Sequence, residues 1–361
     1  MPPCALRDTT ECGGFLEYLY QPVPRAVVQA GGNIFYAERS GSSDRVSLQS
    51  AALSSKRETL DEASVPPTRM LWDSRRDGCA RIRIAMTANA EQIDYWNGAA
   101  ADIWVAQQER LDRQLEPLGR AALRALAPGP GEHVLDVGCG SGQTTLELGD
   151  AVGPGGSVVG VDVSSQLLAA ARRRNELAQV AFERADAQTH AFDQPFDAIY
   201  SRFGVMFFAD PVAAFANLRR ALKSGGRMAF VCWRAEAANP IMTLPMTAAA
   251  KHLPPLPPPQ DPDAPGPFAF ADSARLARIL EAAGFRSVAI APHDEPIGGN
   301  DHAGTLELAL HLGPLGRYLR EHPERHAAVI DAVRDAIEPF IVNGIARIPS
   351  ATWIVTARQH R

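Results

Sequence analysis

From about residue 130 onward, short apolar runs alternate with segments in which apolar residues recur every three or four positions. The runs are rich in Val, Ile and Phe, which is typical of strands buried on both faces, and the spacing between them predicts helices. Five strands are predicted at 134–137, 158–162, 180–187, 196–201 and 227–233. Regular alternation of strand and helix predicts an α/β fold with a doubly wound, mostly parallel sheet.

A glycine-rich turn, residues 138–142, joins the first strand to a helix. Dinucleotide-binding turns follow G-x-G-x-x-G, but position 143 here is Gln, so a nicotinamide cofactor fits poorly. Triphosphate-binding turns need a Lys after the last glycine, and this turn has none. The turn therefore predicts a nucleotide-type cofactor of another class.

With Asp136 two residues ahead of its first glycine, the turn resembles motif I of the class I S-adenosylmethionine-dependent methyltransferases. This resemblance implies that Gly138, Gly140 and Gly142 pass beneath the methionine part of the cofactor. It also implies that Asp136 holds the cofactor's amino group, directly or through water. The fold expected from the resemblance is a Rossmann-like seven-stranded sheet whose last strand is antiparallel.

Acidic residues follow the next two strands. Asp162 comes about 20 residues after the turn, where a carboxylate can accept hydrogen bonds from both ribose hydroxyls. By the same resemblance, Asp186 accepts a hydrogen bond from the adenine amino group. Val163 and Ala187, which follow these acids, are expected to line the cofactor site, and Ser164 is a predicted helix N-cap.

The loop after the fourth strand is expected beside the reacting methyl group, because ligands of open α/β sheets lie where the strand order reverses. Ser201 and Phe203 are therefore predicted to line the cofactor. Arg202 is a candidate for orienting an acceptor carboxylate or phenolate, with a structural salt bridge as the alternative. Residues 201–211 are similar to the ubiquinone/menaquinone-biosynthesis methyltransferase branch, and this implies a small, apolar or aromatic acceptor.

Ahead of the first strand, apolar residues at helical spacing predict a helical cap from about Gln92 to Leu126. Tyr95 and Trp96 lie where the family often folds a helix over the cofactor. An aromatic face next to the sulfonium of the cofactor would give cation–π stabilisation. Trp96 is accordingly a candidate cofactor contact, and plain packing is the alternative.

After the fifth strand, residues 235–271 form an insertion that carries methionines and a proline-rich run at 253–267. Adaptable methionines on a tethered element predict a lid over an irregular apolar substrate, although the same residues could simply dock a helix on the core. The remaining chain, 272–361, predicts a helix, a strand at 287–291, and a helical stretch from 323 to 342 that belongs to a second lid element. A final antiparallel strand is predicted at 351–356. His293, just after the strand at 287–291, is a candidate general base, with a solvent-facing loop histidine as the alternative.

Composition narrows the functional classes. A hydrophobic content of 46% suffices for a large core, and a net charge of -5 disfavours nucleic acid as a partner. The five cysteines have no metal-like spacing, so we expect no metal site and a cytoplasmic location. No apolar run in the sequence approaches the length of a membrane span.

Residues 1–88 lack sustained periodicity and are rich in polar residues. We expect this segment to be disordered or to be a non-native extension, with translation starting at Met86; a small accessory domain around residues 15–36 is the alternative. The methyltransferase domain is then 89–361, with the cofactor-binding core at 130–234.

The sequence thus predicts an enzyme that moves a methyl group in line from S-adenosylmethionine to O, C or N of a small molecule. An NAD-dependent oxidoreductase and a non-catalytic S-adenosylmethionine-binding protein stay open as alternatives. The acceptor and the oligomeric state are left open, with a homodimer as the candidate assembly.

Overall fold

The computed structural model describes residues 89–253, 261 and 263–360, together with the backbone of five earlier strands. The chain divides into two compact units, Met1–Pro67 and Thr68–Arg361. In the first unit, three strands pair antiparallel in the order β1-β2-β3: β1 (Ala26–Ala30), β2 (Asn33–Arg39) and β3 (Val46–Ala51). The second unit begins with an antiparallel hairpin of β4 (Arg69–Asp73) and β5 (Arg81–Ala85).

These strands fall within the segment for which the sequence predicts disorder or a non-native extension. Within residues 1–88, Met86 and every other residue that does not belong to one of these strands lie outside the described residues. The predicted start at Met86 and the division at residue 88 therefore stay predictions.

A seven-stranded sheet forms the centre of the second unit. Its strands are β6 (His133–Val137), β7 (Ser157–Asp162), β8 (Val180–Arg184), β9 (Phe196–Arg202), β10 (Leu222–Trp233), β11 (Arg286–Asp294) and β15 (Ala351–Arg358). The strand order is β11-β15-β10-β9-β6-β7-β8, and β15 runs antiparallel to both of its neighbours. This arrangement confirms the predicted Rossmann-like fold.

Eleven helices are assigned among the described residues. They are α1 (Ala90–Trp96), α2 (Ala99–Ala106), α3 (Gln108–Leu126), α4 (Gln143–Val152), α5 (Ser165–Arg174), α6 (Pro211–Ala221), α7 (Pro240–Ala249), α8 (Ser273–Ala282), α9 (His302–His311), α10 (Gly313–Glu321) and α11 (His326–Ile337). Three short strands complete the unit: β12 (Ile297–Gly298), β13 (Ile341–Val342) and β14 (Ile345–Ile348).

Local sequence explains where several helices begin. The hydroxyl of Ser164 accepts a hydrogen bond from the Leu167 backbone at the start of α5, which confirms this predicted N-cap. Asp210 and Asp272 cap α6 and α8 in the same way. Each of these three caps fixes the position at which the chain leaves a loop and begins a helix.

The strand order reverses at β6, which lies between β7 and β9. Asp136 of β6 is opposite Gly160 of β7 and Tyr200 of β9. The carboxyl ends of these parallel strands therefore meet at one edge of the sheet, on both sides of the turn that follows β6.

The predicted N-terminal helical cap is divided into three helices by breaks at Gly98 and Gln107. Only α3 packs along the sheet, where Leu111, Leu115, Leu118 and Leu126 are buried. It ends at Leu126, two residues before Pro128, and proline is unfavourable inside a helix.

A second apolar core, which we call the helical cluster, is formed by α7, α9, α10 and α11. Its buried members are Ala249, Leu310, Leu315, Leu319, Val329, Val333 and Ile337. The predicted lid insertion divides between the two cores: Ile241 and Met242 pack on the sheet core, whereas Leu244 and Met246 pack on the helical cluster. Residues 254–260 and 262 of the proline-rich run lie outside the described residues.

Four predicted boundaries were wrong. The fifth strand begins at Leu222, five residues before its predicted start. The third strand ends at Arg184, so Asp186 lies two residues beyond it. The sixth strand continues to Asp294 because β11 pairs with the whole of β15, and His293 is therefore inside the strand. The predicted helical stretch 323–342 is a short 3₁₀ turn followed by α11, a second 3₁₀ turn and β13.

Candidate cofactor site

The glycine-rich turn leaves β6 with three glycines in the left-handed region: φ is +68° at Gly138, +54° at Gly140 and +87° at Gly142. A Cβ on Gly138 would lie 2.6 Å from the Cα of Gly204, and one on Gly142 would lie 2.8 Å from the ring of Phe182. At Gly140, by contrast, a Cβ would meet no atom within 4 Å. Two glycines are thus required by packing, while the middle one faces open space.

Asp162, at the end of β7, is held by backbone amides. Its Oδ2 accepts from Gly140 N at 2.9 Å, and its Oδ1 accepts from Ser164 N at 2.9 Å. Burial raises the pKa of the Asp162 carboxyl, and these hydrogen bonds lower it in part. The side chain is therefore fixed against the open side of the turn, where the sequence predicts ribose binding.

Asp136 lies beneath the turn and is completely buried. The hydroxyls of Thr144 and Thr145 both donate to its Oδ2, each at 2.7 Å. Its Oδ1 has no hydrogen-bond partner among the described residues. Burial raises the pKa of the Asp136 carboxyl to about 6, although the two threonines and Arg202 lower it.

Segment 89–98, which comprises α1 and the turn after it, contacts the ends of three strands. Asn89 Nδ2 donates to Asp186 Oδ1 at 3.4 Å, beyond β8. Trp96 meets Phe207, in the loop after β9, edge to face with ring centroids 5.4 Å apart. Burial raises the pKa of the Asp186 carboxyl.

Asn97 joins this segment to the loop after β7. Its Nδ2 donates to the Val163 carbonyl at 3.0 Å, and its Oδ1 accepts from both the backbone and the hydroxyl of Ser165. Gln166 in turn donates to the Asn97 carbonyl at 2.8 Å. The three contacts of segment 89–98 place it across the carboxyl ends of β7, β8 and β9.

The loop after β9 is tied to the glycine-rich turn by Ser201. Its buried hydroxyl donates to the Val137 carbonyl at 2.7 Å and accepts from Gly204 N at 3.2 Å. Phe203 has φ of +63° and stacks on Trp233 with centroids 4.4 Å apart. The two predicted cofactor-lining residues of this loop therefore lie at the edge where the turn begins.

The two catalytic candidates are both engaged with other side chains. Arg202 donates to Gln143 Oε1 and lies 3.5 Å from Asp112 of α3, so its guanidinium is engaged within the fold. His293 contacts Glu295 at 3.1 Å on the edge strand β11. Since β11 is three strand spacings from β9, about 14 Å, the structure does not bring His293 to the turn.

Other predicted residues are placed as follows. Ala187 is buried, and its carbonyl accepts from Asn217. Cys139 is buried within the turn, and burial raises the pKa of its thiol well above the usual range. No group of three His, Cys, Asp or Glu side chains arranged as metal ligands occurs in the part of the chain that the structure describes.

Several site residues were not predicted from the sequence. Asn89 and Asn97 have no motif of their own, and their contacts lie 97 and 66 residues away along the chain. Thr144 and Thr145 lie two and three residues after the turn. A buried carboxylate needs hydrogen-bond donors, and this requirement could have identified the two threonines as partners of Asp136. The remaining residues found only in the structure are Asp112, Gln143 and Gly204.

The residues present fit S-adenosylmethionine. Gly140 faces open space beside a fixed carboxylate, as a cradle for a ligand would require. The unpaired Oδ1 of Asp136 is a buried anionic acceptor suited to the ammonium of an amino acid moiety. The turn, Asp162 and Asp186 follow one another along adjacent strands, in the order of the methionine, ribose and adenine parts.

No helix among the described residues has the length and apolar character needed to cross a membrane. The family model "Methyltransferase domain" matches residues 134–226. These bounds include the turn, Asp162, Asp186 and the loop after β9, and they exclude segment 89–98 and the helical cluster.

Known proteins resemble this chain over part of their length. Demethylmenaquinone methyltransferase of Corynebacterium kroppenstedtii is 33% identical over 181 residues, which cover 47% of this chain and 74% of that protein. Aklanonic acid methyltransferase of Streptomyces sp. (strain C5) is 34% identical over 118 residues, covering 32% and 54%. Phosphoethanolamine N-methyltransferase 2 of Haemonchus contortus, solved in complex with S-adenosyl-L-methionine, aligns with TM-score 0.45 and 15% identity over 78% of this chain and 62% of that one.

Over the first curated relatives, the chain spans between 31% and 54% of their length. The demethylmenaquinone methyltransferase is matched over a larger share, and the matched region extends beyond the cofactor-binding motifs. Together with the observed sheet order and the family model, this similarity identifies the fold and the family. The chain belongs to the class I S-adenosylmethionine-dependent methyltransferases.

Proposed function

We propose that this protein transfers a methyl group from S-adenosylmethionine to a small, apolar or aromatic acceptor. One observation carries the proposal: a glycine-rich turn and two carboxylates end adjacent strands beneath segment 89–98. When bound, S-adenosylmethionine supplies an electrophilic methyl group on its sulfonium. The chain's own residues bind and orient the reactants.

In this proposal the turn residues Gly138, Gly140 and Gly142 lie beneath the methionine part, and Asp136 is the countercharge for its ammonium. Asp162 accepts hydrogen bonds from the ribose hydroxyls, and Asp186 accepts one from the adenine amino group. Val163, Ala187 and Ser201 line the remaining surface. The backbone hydrogen bonds on Asp162 support its role, because they fix the carboxylate before the ligand arrives.

Aromatic side chains surround the end of β9 in this account. Trp96 contacts Phe207 and Trp104, and Phe203 stacks on Trp233. Electron-rich ring faces stabilise a nearby cation by about 0.5 to 2 kcal/mol and exclude water from it. Holding an acceptor in line with the methyl group can then supply most of the rate enhancement.

The proposed acceptor class rests on relatives. Three relatives are named for the small molecules demethylmenaquinone, aklanonic acid and nocamycin, and each resembles this chain over only part of its length. We propose that the helical cluster and the insertion 235–271 select the acceptor, since they carry the chain's second apolar core. Neither His293 nor Arg202 is assigned a catalytic role, because both are engaged within the fold.

The compartment and the assembly are also part of the proposal. Cys139 and Cys232 are buried free thiols, in keeping with the cytoplasmic location that the cysteine usage predicts. The homodimer stays a prediction, and light scattering on the purified full-length chain tests it.

The activity is tested by incubating the full-length protein with S-adenosylmethionine and a panel of quinols, phenols and polycyclic aromatic acids. We expect S-adenosylhomocysteine to accumulate. One acceptor should also give a product ~14 mass units heavier, because replacing a hydrogen by a methyl group adds CH₂. At subsaturating cofactor, Asp162→Ala should weaken the signal, whereas Asp197→Ala, at the opposite edge of the sheet, should retain it. Tight cofactor binding without turnover of any acceptor class would favour the non-catalytic alternative.

A further inference from the structure

A charged network lies behind the glycine-rich turn, between β9, α3 and α5. Two arginines converge on Asp112, which is almost completely buried: Arg202 Nη2 lies 3.5 Å from its Oδ1, and Arg174 Nη1 donates to its Oδ2 at 2.8 Å. Arg174 also donates to the Ser141 carbonyl at 3.0 Å, and Arg202 donates to Gln143 Oε1. Arg174 therefore contacts the turn itself, whereas Arg202 contacts the first residue of the helix that follows it.

Strand register places Arg202 on the same face of the sheet as Asp136. Asp136 is opposite Tyr200, whose hydroxyl donates to the Gly119 carbonyl of α3. Side chains alternate along a strand, so Arg202, two residues after Tyr200, points to the same side. A Cβ on Gly119 would lie 2.9 Å from Arg202 Cδ, so the glycine leaves room for the arginine stem.

The charged and titratable groups that face Asp136 are few. Strand register places Tyr200 and Arg202 of β9 and Asp162 of β7 on the same face of the sheet as Asp136, and Cys139 lies in the turn. The α4 side contributes the two threonine hydroxyls.

Arg202 in turn meets Asp112 from α3 and Gln143 from α4, and Tyr200 precedes it by two residues on its own strand. Arg202 is the cation that strand register places on this face, two residues beyond the partner of Asp136. A buried carboxylate next to a second carboxylate takes up a proton unless an opposite charge is close.

We propose that Arg202 is a positioning residue for the cofactor: held by Asp112 and Gln143, its guanidinium keeps the Asp136 carboxylate ionised behind the turn. The carboxylate then remains the countercharge for the ammonium of an S-adenosylmethionine-type ligand. Arg174, which grips the other oxygen of Asp112 and the Ser141 carbonyl, supports the shape of the turn only. This inference rests on the proposed function, because it assumes that the ligand carries an amino acid moiety.

The test is the pH dependence of S-adenosylhomocysteine binding to the full-length protein, measured by calorimetry between about pH 5 and 8. Burial holds the pKa of Asp136 at about 6, so wild-type affinity should fall as the pH drops through that value. Arg202→Met removes the cation, and we expect the midpoint to move up by about one pH unit. Arg174→Met is the matched control, and it should weaken binding evenly at every pH without moving the midpoint.

Two further variants complete the design. Asp136→Asn should lose the inflection near the wild-type midpoint. Gln143→Ala, at a half-buried position, removes one hydrogen-bond partner of the Arg202 guanidinium. It should move the midpoint of the pH dependence in the same direction as Arg202→Met, but by less. If Arg202→Met does not fold, Gln143→Ala replaces it in the test.

Equal midpoints in Arg202→Met and Arg174→Met would overturn this inference and leave the proposed function intact. An unchanged midpoint in Gln143→Ala, where that variant replaces Arg202→Met, would do the same. Failure of the wild-type protein to bind S-adenosylhomocysteine at any pH would overturn the proposed function, and this inference with it.

Discussion

The turn-bearing half of the sheet and the helical cluster are stabilised in different ways. In the first, carboxylates are fixed by backbone amides, and glycines adopt left-handed conformations that few other residues tolerate. In the second, four helices enclose an apolar core, and ion pairs such as Arg317–Glu321 lie at exposed positions. Exposed pairs of this kind contribute little to stability.

This difference teaches which residues can vary. A cofactor site built from backbone geometry requires particular residue types at particular positions. An apolar helical core requires only side chains of suitable size and spacing, so it can be reshaped for another acceptor. The two regions should accordingly respond differently to matched substitutions.

The largest expected effect comes from truncating one buried leucine in each region. Leu148 lies in α4 behind the turn, and Leu319 lies in the helical cluster. Each Leu→Ala change should lower the free energy of unfolding by about 2 to 4 kcal/mol. Leu148→Ala should also weaken S-adenosylhomocysteine binding, whereas Leu319→Ala should leave that affinity unchanged and reduce acceptor turnover. Equal losses of cofactor affinity in both variants would erase the distinction.

Glycine substitution probes the open cradle. Gly140→Ala adds a methyl group where nothing lies within 4 Å, at φ of +54°, and Gly225→Ala does the same at φ of +80° near the start of β10, where the strand register is irregular. Each should cost about 1 kcal/mol of stability through backbone strain. Calorimetry should show cofactor affinity falling at least about tenfold for Gly140→Ala only, since ~1.4 kcal/mol of clash with the ligand gives that factor. Unchanged affinity in Gly140→Ala would mean that no ligand occupies the cradle.

Two carboxyls of the same half should give opposite pH effects on the cofactor-free protein. The pKa of Asp136 is raised to about 6, so the unfolding free energy should fall as the pH rises from about 4 to 6. Asp136→Asn removes this loss and should stabilise the protein by about 1 to 3 kcal/mol near pH 7, with the gain vanishing near pH 4.

Glu132 is the matched carboxyl of opposite sign. Its hydrogen bonds with Arg227 lower the pKa of its carboxyl, so it stabilises the fold above its unfolded pKa, and this stabilisation is lost as the pH falls through the folded value. Glu132→Gln should therefore destabilise the protein at neutral pH. Thermal unfolding across this pH range measures the effect of each variant on stability. The same dependence of that effect on pH in Asp136→Asn and Glu132→Gln would contradict the opposite pKa shifts of the two carboxyls.

The smallest effect is expected at Asn97. Asn97→Ala removes the hydrogen bonds that hold segment 89–98 to the loop after β7, at a cost of about 1 kcal/mol and roughly a fivefold faster release of S-adenosylhomocysteine. Asn175→Ala is the control. The Asn175 side chain also forms hydrogen bonds with backbone groups, two in number, but at the other end of α5. Stopped-flow dissociation rates that match in the two variants would remove segment 89–98 from the cofactor site.

Much of the fold was predictable because each element of the sheet is encoded locally. The strand-turn-helix order, the N-cap at Ser164 and the final antiparallel strand all follow from patterns a few residues long, and the structure confirms them. The division of the N-terminal cap into three helices and the length of β11 were missed. Both depend on partners distant in sequence, β15 in the case of β11.

The candidate site divides in the same way. The positions of the glycines, Asp162 and Asp186 follow from spacing within single strand-turn units. Asn97, Asp112 and the engaged state of Arg202 follow from contacts made 59 to 90 residues away, which no local pattern records. Arg202, a candidate acceptor-orienting residue by sequence, is placed by these contacts behind the turn.

The central claim is that the turn, Asp162 and Asp186 form a site for S-adenosylmethionine. Calorimetric titration of the full-length protein with S-adenosylmethionine, S-adenosylhomocysteine and NAD, run in parallel on the wild type and Asp162→Ala, tests it most directly. We expect micromolar binding of the first two ligands to the wild type, no binding of NAD, and a loss of about 1 to 3 kcal/mol in Asp162→Ala. Binding of NAD in place of the other two, or equal affinity in wild type and Asp162→Ala, would contradict it.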